Sequence, residues 1–165
     1  MRGYNPSKGV RKDNHPDSKK ESKKVLRAMK NPDEEYFLLS DKSPRTPFVK
    51  YLEEEGLDYD PPELKRIIDD SFPIIKSLKN YYNRPRPSQV NAKIKPFASS
   101  TASTPSYPSG HAFQAFLIAK HLSKKYPFRT FKFYSIAERI AKARVSAGLH
   151  YPSDNDFSRN LAQMM

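Results

Sequence analysis

Three short segments of the sequence combine histidine, basic and acidic residues of the kinds that do chemistry on phosphate. They span residues 79–87, 108–111 and 144–154. Histidine can act as a nucleophile or as a general acid, and lysine and arginine bind phosphate oxygens. The sequence therefore predicts a site that holds an oxyanion and acts on it.

The middle segment, Pro108-Ser109-Gly110-His111, predicts the start of a helix. Ser109 is the expected N-cap, and the backbone N–H groups of the next turn have no partner within the helix. Such a helix start attracts anions, and Gly110 lets one approach the backbone without a Cβ in the way. His111 could protonate a leaving oxygen. Taken alone, the segment fits an ordinary capped helix with an exposed histidine better.

The last segment places His150 on a short link between two expected helices. Gly148 is expected to end one helix, and Ser153 or Asp154 to cap the next. The Asp154 carboxylate could accept one ring N–H of His150 and leave the other ring nitrogen nucleophilic. Arg144 lies one helical turn before Gly148 and could reach the same pocket. The alternative for each of these side chains is an ordinary place on the surface.

The first segment supplies cations at the end of a long expected helix. Lys79 offers a point charge and Arg86 a two-pronged donor to phosphate oxygens. Arg84 also precedes a proline, and the residue types alone do not decide between Arg84 and Arg86. Cations near a helix C-terminus are also favoured by the helix dipole, with no ligand required.

Together, the three segments resemble the signature of the type 2 phosphatidic acid phosphatase superfamily. The matching pattern is Lys79, six residues and Arg86-Pro87, then Pro108-Ser109-Gly110-His111, then Arg144, five residues, His150, three residues and Asp154. This superfamily includes class A bacterial acid phosphatases, lipid phosphatases and vanadium haloperoxidases. The spacing from Lys79 selects Arg86 over Arg84, and Ala143 stands where the family usually has serine.

The resemblance implies a phosphatase that hydrolyses phosphomonoesters or diphosphates without a metal ion or other cofactor. His150 would attack phosphorus to form a phosphohistidine, Asp154 would orient His150, and His111 would protonate the leaving group and then activate water. The implied phosphate ligands are Lys79, Arg86, Ser109, the backbone N–H of Gly110, and Arg144. A vanadate-dependent haloperoxidase would use the same oxyanion pocket and is a less favoured alternative.

The elements that must position these residues are helices, because no convincing strand pattern appears. Apolar residues recur at spacings of three and four between residues 60 and 80, and similar stretches occur elsewhere. The predicted helices cover residues 18–30 capped by Ser18, 34–39, 48–55, 60–82 with a kink at Pro73, 109–126, 130–148 and a last helix to the C-terminus. Residues 41–47 and 88–107 are expected to be loops, the second one long.

The expected fold class is all-α, a single-domain helical bundle of the acid phosphatase and haloperoxidase type, which is also what the resemblance implies. We expect this domain to cover residues 18–165, after a flexible lead-in at residues 1–17. No signal peptide or membrane-spanning stretch appears, which predicts a soluble, cytoplasmic protein and not an integral membrane protein. Oligomeric state cannot be read from the sequence, and a homo-oligomer is left open.

The composition favours an anionic partner. The 165 residues carry a formal net charge of +12 and no cysteine, which excludes disulfides and thiolate chemistry. The expected partner is a phosphorylated small molecule or a lipid headgroup. A basic nucleic-acid-binding module is the main alternative, because a lysine-rich stretch covers residues 19–30 and aromatic residues are plentiful. It is not favoured, since no nucleic-acid-binding motif appears and the charge is spread along the chain.

Overall fold

The computed structural model describes residues 15–165, and the regular structure of this part of the chain is entirely helical. It contains eight α-helices, namely α1 (Ser18–Ala28), α2 (Glu34–Ser40), α3 (Thr46–Glu54), α4 (Pro61–Tyr82), α5 (Pro87–Val90), α6 (Gly110–Lys125), α7 (Thr130–Ser146) and α8 (Pro152–Met164). A 3-10 turn, Pro127–Arg129, joins α6 to α7. The prediction of an all-α fold is confirmed. Most of the predicted lead-in, residues 1–14, lies outside the described residues.

Helix α6 is the central helix, and it packs against α4, α7 and α8. Its side chains are buried around the whole helix and not along one stripe, as expected for a helix enclosed by others. Phe113 and Phe116 of α6 and Phe133 and Ile140 of α7 are among the buried core residues. The α6–α7 hairpin therefore forms a rigid core that fixes where α6 begins and where α7 ends.

Several helix ends meet at one end of this hairpin. Asn83 follows α4 in the left-handed conformation, at φ 50°, and Gly148 follows α7 at φ 79°. Ser109 caps α6 as predicted, and its Oγ accepts the Ala112 N–H at 3.3 Å. The Ser109 N–H in turn donates to the backbone carbonyl of Asp154 at 3.4 Å. The three sequence segments are thereby brought to the same end of the bundle.

The predicted starts of α1 and α3 are slightly wrong. Asp17, not Ser18, caps α1, because the Asp17 carboxylate accepts a first-turn N–H at 3.1 Å. Helix α3 begins at Thr46 and not at residue 48, since Pro47 fits the first turn, where its missing N–H costs nothing. The predicted loop at residues 41–47 is correspondingly shorter.

The predicted cap of the last helix is also wrong. Neither Ser153 nor Asp154 is the N-cap, because α8 already begins at Pro152 after Tyr151. Asp154 lies in the first turn, and its carboxylate accepts the Tyr151 N–H at 3.0 Å. The acidic side chain therefore stabilises the helix start from inside the helix.

The long connection before α6 is not wholly irregular, since α5 occupies its first part. Helix α1 packs beside α5, α7 and α8. A second small core cluster lies here, formed by Val25, Ile94, Val145 and Tyr151. This cluster fastens the N-terminal helix next to the link that carries His150. Among the described helices, none has the length and apolarity that a bilayer span would require.

Candidate active site

A cavity of about 910 Å³ opens where the helix ends meet. The predicted site residues on its wall are Lys79, Arg86, Gly110, His111 and His150. Apolar side chains of α4 and residues of the long connection form much of the remaining wall. Residues from all three sequence segments are therefore gathered around one cavity.

His150 and Asp154 form a buried pair at this cavity. His150 is 2% exposed and Asp154 is fully buried, and His150 Nδ1 lies 2.9 Å from Asp154 Oδ2. The same carboxylate oxygen accepts the Tyr151 N–H and the Ser106 hydroxyl. Because Asp154 is fixed by the first turn of α8 and by these donors, it holds the His150 ring in one orientation.

Arg86 decides which nitrogen of His150 carries the proton. Arg86 Nη1 lies 2.9 Å from His150 Nε2, and a guanidinium can only donate. Nε2 therefore accepts, and Nδ1–H donates to Asp154. Burial, reinforced by the charge of Arg86, lowers the pKa of His150 well below its usual value. The ring is thus neutral at neutral pH, with its unprotonated nitrogen facing a cation.

Lys79 adds a second cation beside His150. It lies in the last turn of α4, is 7% exposed, and donates from Nζ to the carbonyl of Pro105. Burial, together with the neighbouring Arg86, lowers the pKa of Lys79 well below its usual value. Two cations buried side by side mark a place where an anion would be stabilised.

His111 lies on the first turn of α6 and is only 8% exposed, so it is not an ordinary surface histidine. Its Nε2 lies 2.8 Å from the backbone carbonyl oxygen of Asp41. Because a carbonyl only accepts, Nε2 carries a proton and Nδ1 is the nitrogen that can gain one. Burial and the charge of Arg144 lower the pKa of His111 to about 3.

Arg144 lies in the last turn of α7 and is fully buried. Its Nη1 pairs with the Asp41 carboxylate at 2.7 Å, and its Nη2 donates to Thr101 Oγ1 at 2.9 Å. Its Nε is buried without a hydrogen-bond partner among the described residues. Thr101 lines the cavity, whereas Arg144 is not among the described residues that line it. The arginine is therefore a buried part of the site and not a surface cation.

Ser109 and Gly110 are placed differently although they are neighbours. Ser109 is fully buried, and its hydroxyl serves as the cap of α6. Gly110 lines the cavity, and Ser109 is not among the described residues that do so. The first turn of α6 thus borders the cavity through the backbone at Gly110.

Several residues that the sequence reasoning did not select also contact the site. Asp41 follows α2 and contacts two of the predicted site residues. Its carboxylate pairs with Arg144, and its backbone carbonyl accepts a hydrogen bond from His111. Ser106 bonds the Asp154 carboxylate, and so does Arg84, which the family spacing sets aside in favour of its neighbour. Glu21 joins the same network through Arg84. Only Arg84 carried a sequence signal, namely its place within a basic, proline-rich segment.

Comparison with known proteins places the chain in a family. A model described as the PAP2 superfamily matches residues 71–164, which is more than half of the chain and includes all three segments. A search of curated proteins found no match. Membership of this superfamily supports a phosphatase-type hydrolase activity in general terms. The resemblance carried by the three segments is thus confirmed, and the chain belongs to the PAP2 superfamily.

Proposed function

We propose that this protein is a metal-independent phosphatase that hydrolyses phosphomonoesters or diphosphates through a phosphohistidine on His150. The observation that carries the proposal is the arrangement of His150 between a carboxylate and a cation. Asp154 lies 2.9 Å behind Nδ1, and Arg86 lies 2.9 Å in front of Nε2. The Nε2 lone pair therefore faces Arg86, and we expect a phosphate bound by Arg86 to lie in front of this lone pair.

In the proposed complex, Lys79, Arg86 and Arg144 neutralise the phosphate oxygens. Arg86 exchanges its hydrogen bond with His150 Nε2 for one with a phosphate oxygen, which exposes the nitrogen lone pair to phosphorus. The first-turn backbone of α6 at Gly110 adds N–H donors, and the helix dipole favours the anion. Ser109 supports this turn as its cap.

The first chemical step forms a bond between His150 Nε2 and phosphorus and breaks the bond between phosphorus and the leaving oxygen. The electron pair of the broken bond goes to that oxygen, which takes a proton from Nδ1 of His111. Bound phosphate offsets the charge of Arg144, so the pKa of His111 rises from about 3 in the complex. The positive charge that develops on His150 is stabilised by Asp154.

The second step releases phosphate. His111 is neutral once it has given up its proton, and it can take a proton from a water molecule. The water oxygen attacks phosphorus, the bond to Nε2 breaks, and its electron pair returns to His150. The Nδ1–H bond to Asp154 keeps the regenerated ring in its starting tautomer.

Phosphate release from p-nitrophenyl phosphate, measured with EDTA present across pH 4–8, tests this function. We expect turnover by the wild type, inhibition by vanadate, and loss of turnover in His150→Ala. His121→Ala is the matched control, because His121 lies partly exposed on α6 beside Glu63, and it should keep wild-type activity. Turnover by His150→Ala would reject the phosphohistidine. If the wild type releases phosphate from neither this ester nor a panel of nucleotides and lipid phosphates, the phosphatase itself is rejected.

A further inference from the structure

Arg84 is a fully buried cation beside the site, although the family spacing passes over it. Its side chain is fully buried, and its guanidinium carbon lies 3.7 Å from the centre of the Tyr151 ring. Nη1 pairs with Asp154 Oδ1 at 2.8 Å, and Nη2 pairs with Glu21 Oε2 at 2.9 Å. Nε donates to Ser18 Oγ at 3.0 Å. All three guanidinium nitrogens are thus bonded, as a buried arginine requires.

These contacts form one continuous chain of groups that ends at His150. Glu21 bonds Arg84, Arg84 bonds one oxygen of Asp154, and the other oxygen of Asp154 bonds Nδ1 of His150. Glu21 is itself held by the Ser153 N–H at 2.7 Å. Glu21 belongs to α1 and lies outside the residues that the family model matches, 71–164. The N-terminal helix therefore reaches the histidine through two ion pairs.

We propose that Arg84, held by Glu21, is a positioning residue that keeps the Asp154 carboxylate ionised and aimed at Nδ1 of His150. The proposal deepens the proposed function and rests on it, because the positioned ring is the nucleophile of that function. Arg84 is not among the described residues that line the cavity. It acts through Asp154 and not on the substrate.

The physical reason is the burial of Asp154. Burial raises the pKa of Asp154, and the charge of Arg84 is the largest effect that opposes this rise. Without Arg84, Asp154 would hold its proton to higher pH, and a protonated carboxyl would support the positive charge on His150 less well. The titratable or charged groups around Asp154 are Glu21, Lys79, Arg84, Arg86, Tyr107, His150 and Tyr151.

Removing the charge of Arg84 and removing the charge of Glu21 should shift the protonation of the His150–Asp154 pair in opposite directions. In Arg84→Met a positive charge is lost near the His150–Asp154 pair, so the pH at which this pair takes up a proton rises by about 1–3 units. In Glu21→Gln a negative charge is lost, so that pH falls. A merely structural role would lower the stability of both variants without moving their titrations in opposite directions. Arg84→Lys keeps the charge and should restore a titration near that of the wild type.

The protonation of His150 can be followed directly by 15N NMR of histidine-labelled protein. The chain has four histidines, so the spectrum is simple, and His150→Gln assigns the signal. Arg139→Met is the matched control, because Arg139 also stacks on a tyrosine, at 3.9 Å from the Tyr36 ring, and pairs with a carboxylate. It should leave the His150 titration unchanged.

The same variants are then compared in the pH profile of kcat/KM, whose acid limb should move with the NMR titration. An unchanged His150 titration in folded Arg84→Met overturns the proposal. If Arg84→Met does not fold, Glu21→Gln decides, and an unchanged or alkaline-shifted titration overturns the proposal. The NMR result does not depend on turnover. An inert wild type with shifted titrations therefore rejects the phosphatase and keeps Arg84 as the group that positions His150.

Discussion

At the scale of single residues, Arg144 is a fully buried cation that we propose binds phosphate. One terminal nitrogen is paired with Asp41, the other bonds Thr101, and Nε has no partner among the described residues. Leaving a buried donor unsatisfied is costly, and a phosphate oxygen would relieve that cost. In the proposed complex, the fork of the guanidinium would let Arg144 hold Asp41 and a phosphate oxygen at once.

Arg144→Lys should therefore weaken anion binding while it preserves the charge. Lysine can keep the ion pair with Asp41, but its donors all lie on one nitrogen and cannot reproduce the planar fork of the guanidinium. We expect the inhibition constants of phosphate and vanadate to rise about ten- to hundredfold, which corresponds to about 1.5–3 kcal/mol for a hydrogen bond to a charged group. Arg139→Lys, at an exposed ion pair with Asp33, is the control and should have wild-type constants. Equal constants in Arg144→Lys and the wild type would show that the fork has no part in anion binding.

At the scale of the helices, two glycines next to the site should respond in opposite ways to alanine. Gly148 follows α7 at φ 79°, and a Cβ there would lie 2.9 Å from Met29 Sδ and 3.2 Å from Ile94 Cγ2. Gly110 opens α6 without a positive φ, and a Cβ would meet Ile75 at an ordinary 3.6 Å. The first glycine is required by the backbone and the packing, whereas the second is not.

We predict that Gly148→Ala lowers the free energy of unfolding by about 1–3 kcal/mol, from left-handed strain and the close contacts. Gly110→Ala should keep wild-type stability, yet it should bind phosphate more weakly, because its Cβ stands where an anion would approach the first turn. Urea denaturation and inhibition by phosphate measure the two quantities. A Gly110→Ala protein that binds phosphate as the wild type does would place the anion away from this turn.

The helix ends also show which parts of the site the sequence can predict. The cap at Ser109 and the glycine after α7 are determined within one turn of chain, so local residue types suffice to predict them. Asp41 is 103 residues from Arg144, and Glu21 is 63 residues from Arg84. Their contacts depend on how α2 packs on α7 and how α1 packs beside α8, and no local pattern encodes those contacts. The sequence thus predicts the residues that we propose bind phosphate, whereas the residues that hold them in place can be found only from the fold.

At the scale of the whole molecule, the buried histidines should make the fold sensitive to mild acid. Burial lowers the pKa of His111 to about 3 and that of His150 well below its usual value. Below about pH 6.5 the unfolded chain protonates these histidines while the folded chain does not, so stability is lost as the pH falls. Asp154 acts in the opposite sense, because burial raises its pKa and the folded chain then takes up this proton more readily than the unfolded chain as the pH falls.

Between pH 7 and pH 5 each buried histidine should therefore cost about 2 kcal/mol of unfolding free energy. Urea denaturation at the two pH values measures the loss, and His111→Gln should show a loss about 2 kcal/mol smaller than that of the wild type. His121→Gln, a partly exposed position on the same helix, should leave the wild-type loss in place. Saturating phosphate should reduce the wild-type loss, since a bound oxyanion offsets Arg144 and lets His111 take a proton in the folded state. If His111→Gln and the wild type lose the same unfolding free energy between pH 7 and pH 5, then His111 is protonated as easily in the folded protein as in the unfolded chain.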